Sequence, residues 1–285
     1  MFRFNFNDES NGNEEKSNIE EDKEKDDKLE WFSAKRISKP LEDYNVSNIT
    51  NDQTTNVCYC DVKIKLVDSK TAFNKLAKEN CQNIIEAESQ HSDLLPAKYE
   101  GGLKIWECTH DLARYLLEEN ILLKDKTVLD LGCGAGVLGL VALLQGSNVH
   151  FQDYNLEVIE SYTIPNVILN CDKLDTVTKR CQFYCGDWES FVNLIGNDES
   201  EEYDYILSSE TIYNPNNYPK LYQIFKQKLR KNGICYIAAK IHYFGVGGSI
   251  QQFEEFITKD GLFNIKTVWK SDEGLQREVL EVKRR

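Results

Sequence analysis

From residue 101 onward the chain alternates short β-branched or aromatic runs with helical stretches, and this alternation restricts the possible fold more than any other feature. Thr127 to Leu131, Val149 to Asp153, Cys181 to Cys185, Tyr203 to Ser208 and Gly233 to Ala239 read as strands with helices between them. Strands separated by helices build βαβ units, and hence a mostly parallel sheet covered on both faces. The expected fold class is α/β: a Rossmann-like, mostly parallel sheet flanked by helices. With 285 residues, 41% of them apolar, the chain can fill one such core. No linker after Glu100 divides the remainder. Ligands of these sheets lie beyond the carboxyl ends of the strands, near the switch in strand order.

The region before residue 101 differs in kind. Residues 8 to 30 carry eleven acidic and four basic side chains and almost no aliphatic ones, a composition that cannot offset the entropy of ordering. Residues 1–30 are therefore expected to form an acidic disordered tail, either an idle leader or an arm for a basic partner. Residues 31–100 read as an N-terminal extension packed on the core, and 101–285 as the domain that carries the chemistry. In the extension, Trp31 to Thr55 is polar and irregular. Val57 to Leu66 reads as a strand, and Thr71 to Glu88 as an amphipathic helix with Phe73, Leu76 and Ile84 on one side.

A formal net charge of -13 repels phosphate backbones, so direct nucleic-acid binding is not expected and a basic protein partner fits better. Nine scattered cysteines read as reduced, mostly buried thiols. The closest pair, Cys58 and Cys60, has neither zinc-knuckle nor redox-dithiol spacing, so no metal is expected. No apolar run approaches the ~18 residues of a membrane span, and Met1-Phe2-Arg3-Phe4-Asn5 lacks a signal-peptide core. The expectation is a soluble, intracellular protein without membrane contact, with a monomer as the default.

Val128-Leu129-Asp130-Leu131-Gly132-Cys133-Gly134-Ala135-Gly136-Val137-Leu138-Gly139 is a strand running into a glycine turn and then a helix. Such a turn must bend sharply and let its backbone approach a ligand. Two frames compete. Gly134-Ala135-Gly136-Val137-Leu138-Gly139 fits the dinucleotide pattern, with Asp153 ending the next strand as a ribose acceptor. Asp130-x-Gly132-x-Gly134-x-Gly136 is similar to the first motif of adenosylmethionine methyltransferases. A carboxylate would repel a pyrophosphate, whereas the ammonium group of adenosylmethionine wants one nearby, and Asp130 is placed to help supply it. That favours the second frame. Asp153 serves a ribose in either. Gly186-Asp187-Trp188 suits an adenine, the carboxylate taking the amino group and the indole covering the ring. The competing reading of Asp187 and Trp188 is a helix cap and a core aromatic.

Longer blocks carry a closer resemblance. His91-Ser92-Asp93-Leu94-Leu95-Pro96, the run from Tyr99 to Thr109, Phe151-Gln152-Asp153-Tyr154-Asn155, the run from Ser209 to Pro215 and the run from Ala239 to Gly248 are similar to blocks of the eukaryotic protein-histidine methyltransferases, the histidine protein methyltransferase 1-like family. The likeness runs from about His91 to Leu280. It implies a seven-stranded methyltransferase domain over 101–285 with S-adenosyl-L-methionine as cofactor. It also implies methyl transfer to a histidine ring nitrogen, with a large-subunit ribosomal protein as the type of target and cytoplasm, nucleus and nucleolus as the places. Carried over by motif, Ile105, Trp106, Glu107, Cys108 and Thr109 line the cofactor pocket and Gly132 meets the methionine part. Gln152, Asp153, Tyr154 and Asn155 surround the ribose, Gly186, Asp187 and Trp188 the adenine, and Ser209 lies beside the methyl group. His110 replaces an apolar residue of the family and reads as structural. The acidic tail has no counterpart in these blocks.

Histidine needs little activation. Its pKa of about 6.5 leaves it mostly neutral, with one ring nitrogen carrying a free lone pair. A carboxylate can then select the tautomer and stabilise the imidazolium that forms. Glu210 is the candidate, with Tyr213 and Asn214-Pro215 walling the substrate side; the competing reading makes Glu210 a helix cap and Tyr213 core. His242 is a second candidate wall residue, and Gly245-Val246-Gly247-Gly248 reads as a tight turn or a lid. Rival functions are a lysine methyltransferase, since Glu210 stands three residues before Tyr213 as in enzymes of that kind, and a cofactor-binding factor that holds a basic ribosomal protein. A small-molecule or transfer-RNA methyltransferase and an NAD-linked dehydrogenase complete the alternatives.

Overall fold

The computed structural model describes residues 30–196, 202–272 and 274–285. Apart from Glu30, the expected acidic tail lies outside the described residues. The chain enters through a two-residue strand, β1 (Lys35–Arg36), and three short 3-10 turns, then forms β2 (Thr54–Tyr59) and β3 (Val62–Val67). Helices α1 (Ser69–Lys78), α2 (Gln82–Ser89) and α3 (Glu107–Glu118) follow. The alternating region comprises β4 (Thr127–Leu131), α4 (Val137–Leu144), β5 (Asn148–Asp153), α5 (Leu156–Val158), α6 (Ile164–Leu169), α7 (Leu174–Arg180), β6 (Cys181–Cys185), α8 (Trp188–Ile195), β7 (Tyr203–Ser209), α9 (Tyr218–Lys228), β8 (Leu229–Lys240), α10 (Ile250–Thr258), β9 (Phe263–Lys270) and β10 (Arg277–Arg284).

The sheet order is β1-β6-β5-β4-β7-β8-β10-β9. Seven strands were expected and eight pair. The additional one is β1, which the irregular N-terminal segment contributes by adding antiparallel to the edge of β6 at Lys35↔Cys185 and Arg36↔Tyr184. Strands β6, β5, β4, β7 and β8 are parallel neighbours, whereas β10 runs antiparallel to both β8 and β9. The order reverses between β4 and β7, and the site lies beyond the carboxyl ends of these strands.

Two expectations for the extension need correction. Residues 57–66 form a hairpin, because the chain turns at Cys60 (φ 48°) and Asp61 and pairs Tyr59 with Val62. The helix expected over 71–88 is two helices: Asn80 takes φ 57°, and the Cys81 N–H bonds the Leu76 carbonyl at 3.1 Å, closing α1 before α2 begins. The apolar side survives the break, with Leu76 and Ile84 buried and Phe73 packed against the core. The extension and the alternating region share one hydrophobic core, in which Tyr59, Ile64 and Leu66 join α3 and α4. Polar clamps reinforce the join. Asn166 accepts from the Val67 N–H at 2.7 Å, and Asn170 brackets Lys65 by accepting from its N–H and donating to its carbonyl. All nine cysteines are unpaired thiols, five of them buried. Among the described residues no helix is long and apolar enough to cross a membrane.

Candidate active site

A cleft of about 760 Å³ opens beyond β4, β5, β6 and β7. Its floor is the turn after β4, where Gly132, Cys133, Gly134 and Ala135 line the space. Gly134 has φ 48°, and a Cβ there would stand 2.9 Å from the Gly102 carbonyl oxygen. Both demands are met without strain by glycine. The Gly134 N–H donates to Asp153 at 2.9 Å, which fixes that carboxylate at the end of β5 and on the cleft wall. Burial pushes the Asp153 carboxyl up to about 6, against backbone N–H bonds that hold it down. Tyr154, Gly186, Asp187 and Trp188 line one end, with Trp31 from the extension; Ile105, Trp106, Thr109 and Ser209 line the other walls. Thr109 and Ser209 share a hydroxyl hydrogen bond of 2.7 Å.

Several other expected residues do not line the cleft. Asp130, 1% exposed, accepts from the Gly139 N–H at 2.8 Å and braces the start of α4 instead of facing a ligand. Gly136 is the N-cap of α4 (φ 78°). Gln152 accepts from the Trp188 indole N–H at 2.9 Å and donates to the Gly186 carbonyl at 2.8 Å, so it orients the turn after β6. Asn155 accepts from the Glu100 N–H and donates to the Lys98 carbonyl. Glu107 ion-pairs with Lys240 at 3.2 Å, and Cys108 is buried. Asp187 does cap a helix, α8, through Oδ2, while Oδ1 pairs with Lys220; Trp188 faces the cleft. His110 meets the Tyr59 hydroxyl at 2.5 Å, a satisfied structural histidine.

A second cavity of about 380 Å³ adjoins the first. Glu100, Trp106, Glu210 and Tyr213 line both, so they form the partition; Asp93, Leu94, Tyr243 and Val246 complete the smaller space. Asn214 lines neither, because its carboxamide caps the next turn through the Asn216 N–H. His242 is exposed and Tyr243 takes the wall position expected of it. The glycine stretch is a tight turn: the Gly247 N–H bonds the Tyr243 carbonyl at 3.1 Å, and the Gly248 N–H bonds the Tyr213 carbonyl at 2.9 Å.

Glu210 does not cap a helix. It follows β7 at φ 58°, a left-handed conformation that costs a residue other than glycine about 1 kcal/mol. Its N–H is tied to the Ala238 carbonyl of β8 at 2.9 Å, which holds that conformation. The residue is 8% exposed, Lys240 Nζ stands 3.4 Å from its carboxylate, and the Cys108 thiol and Tyr243 hydroxyl border it. Burial and then the charge of Glu210 push the Cys108 thiol and the Tyr243 hydroxyl well up. Burial pulls the Lys240 ammonium down, but Glu210 and Glu107 outweigh it and raise it overall. Across the partition Tyr213 donates to Glu100, whose carboxyl burial pushes up. Sequence reasoning missed Trp31, Glu100 and Asn217. Glu100 stands directly before Gly101-Gly102 in a recognised block, but nothing in the local pattern of the other two points inward.

A glycine cradle at the switch in strand order, an acid on the next strand and aromatic walls define a nucleoside-cofactor-binding α/β protein of the methyltransferase type. The family model described as lysine methyltransferase matches residues 96–258. The chain is 44% identical over 232 residues to the histidine protein methyltransferase 1 homolog of Bos taurus, a match covering 73% of this chain and 62% of that one. It is 30% identical over 260 residues to histidine protein methyltransferase 1 of Schizosaccharomyces pombe, covering 77% and 74%. The chain thus spans less than two thirds of the length of the bovine relative. A solved structure of a putative SAM-dependent methyltransferase from Streptococcus mutans has the same fold, with a TM-score of 0.51 at 12% identity, covering 81% of this chain and 55% of that one. The chain belongs to this methyltransferase family and, within it, to the histidine protein methyltransferase 1 group.

Proposed function

We propose that the protein transfers a methyl group from S-adenosyl-L-methionine to a ring nitrogen of a histidine in another protein. A basic large-subunit ribosomal protein is the type of acceptor proposed, with cytoplasm and nucleus, including the nucleolus, as the place. The residues of the larger cleft fit the cofactor: the glycine cradle admits an extended chain, Asp153 offers an acceptor to ribose hydroxyls, and aromatic side chains flank a base. When bound, the cofactor supplies an electrophilic methyl group on a sulfonium.

The observation that carries the reading is Glu210, a buried carboxylate in the partition between the two cavities. In this role it accepts the N–H of a target imidazole seated in the smaller cavity and turns the other nitrogen towards the larger one. Glu210 and Glu100 together favour the imidazolium that forms. Lys240 pairs with Glu210 at 3.4 Å and braces the carboxylate. Trp106, Tyr213 and Tyr243 wall the ring and limit water. Positioning is the main demand on the protein, since the reacting atoms must approach to about 3–3.5 Å in line.

A lysine acceptor is the second reading, favoured by the family description and by the spacing of Glu210 and Tyr213. Lysine, with a pKa of about 10.4, must first lose a proton, whereas imidazole at neutral pH already has its lone pair. Glu210→Gln should lower the methylation rate about 100-fold with cofactor affinity unchanged. Measured by steady-state kinetics and by calorimetry with S-adenosylhomocysteine, an unaltered rate and pH profile would remove Glu210 from this role.

A further inference from the structure

We infer that the N-terminal strap, residues 30–37, completes the cofactor site and that Trp31 is a cofactor-binding residue at its adenine end; this rests on the cofactor reading above. Trp31 lines the cleft beside Tyr154, Gly186, Asp187 and Trp188. The strap is tied down by residues far along the chain. Here the ties converge on the elements that frame the base.

The Phe32 N–H donates to the Tyr154 hydroxyl at 3.0 Å, and the Phe32 carbonyl accepts from the Asp187 N–H at 2.9 Å. The Ala34 N–H donates to the Ser190 hydroxyl at 2.8 Å, and β1 pairs with the end of β6. The Phe32 ring stacks on Tyr154, with centroids 5.1 Å apart and planes 12° from parallel. Trp31 meets the same tyrosine edge-on at 5.6 Å, and the Lys220 ammonium lies 3.6 Å from the indole centroid. Lys220 is at the same time the ion-pair partner of Asp187. One lysine therefore joins the strap indole to the residue that follows Gly186, and the indole is held before any ligand arrives. An aromatic surface fixed in this way loses little freedom when a heteroaromatic base packs against it.

The test is calorimetric titration of S-adenosylhomocysteine into the full chain, with Trp31→Ala, Trp31→Phe and Phe32→Ala. Trp31→Ala should weaken binding about tenfold, Trp31→Phe should restore most of it, and Phe32→Ala should give a smaller loss by loosening the strap. The KM for S-adenosylmethionine should rise in parallel while kcat at saturating cofactor stays near that of the wild type, a split that general misfolding does not produce. Binding by Trp31→Ala within about twofold of wild type overturns the inference. Absence of binding by the wild-type protein instead overturns the cofactor reading beneath it.

Discussion

Asp130 shows why the position of an acid in a motif is a weaker guide than its surroundings. At the end of β4 it reads as a partner for an ammonium group, but its oxygen is used by the Gly139 N–H and it is absent from the cleft wall. Burial pushes its carboxyl up to about 8, opposed by the Gly139 N–H and assisted by Asp153. An acid whose folded pKa exceeds its unfolded value of about 3.9 destabilises the fold increasingly as pH rises between the two. Asn keeps the acceptor and has no charge to desolvate. Asp130→Asn should therefore gain in melting temperature relative to wild type as pH is raised from about 5 to 8, and should bind S-adenosylhomocysteine within about twofold of wild type. A variant that melts normally but loses the ligand would return Asp130 to the ammonium site. Glu210 was legible as a strand-end acid beside Tyr213; its left-handed backbone was not, because the tie to β8 holds it.

At the scale of elements, the turn from Gly245 to Gly248 supports the wall of the smaller cavity. A Cβ on Gly248 would collide with the carbonyl oxygens of Ile212 and Tyr213. Gly248→Ala must push the turn and Tyr213 apart and disturb the contact of Tyr213 with Glu100. Turnover should fall about 10- to 100-fold while cofactor affinity changes much less, read by comparing kcat with the dissociation constant of S-adenosylhomocysteine. Equal losses in both would mean that the turn supports the whole cleft. Five of the seven strands of the alternating region, β4 to β8, were readable from short β-branched or aromatic runs that are largely buried. The hairpin at Cys60-Asp61 was not, since neither glycine nor proline marks its turn. The break before α2 carries only Asn80 as a signal, and an apolar periodicity that continues across it hides the stop.

For the whole molecule, the α/β class and the location of the cleft followed from the pattern of strands and from the glycine turn. The extension resisted such reading. Its strap and its hairpin take their places only through long-range partners such as Tyr154, Ser190, Asn166 and Asn170. The larger cleft therefore draws on residues from Trp31 to Asn217, and the adjoining cavity on the partition residues with Asp93, Leu94, Tyr243 and Val246. The central claim, that the acceptor is a histidine ring, is tested most directly by incubating the purified protein with methyl-labelled S-adenosylmethionine and a cell extract, hydrolysing the labelled protein and identifying the modified amino acid. The account predicts label in methylhistidine, with one methyl per acceptor. Label recovered in methyllysine, or no labelled protein from an enzyme that binds its cofactor, would contradict it.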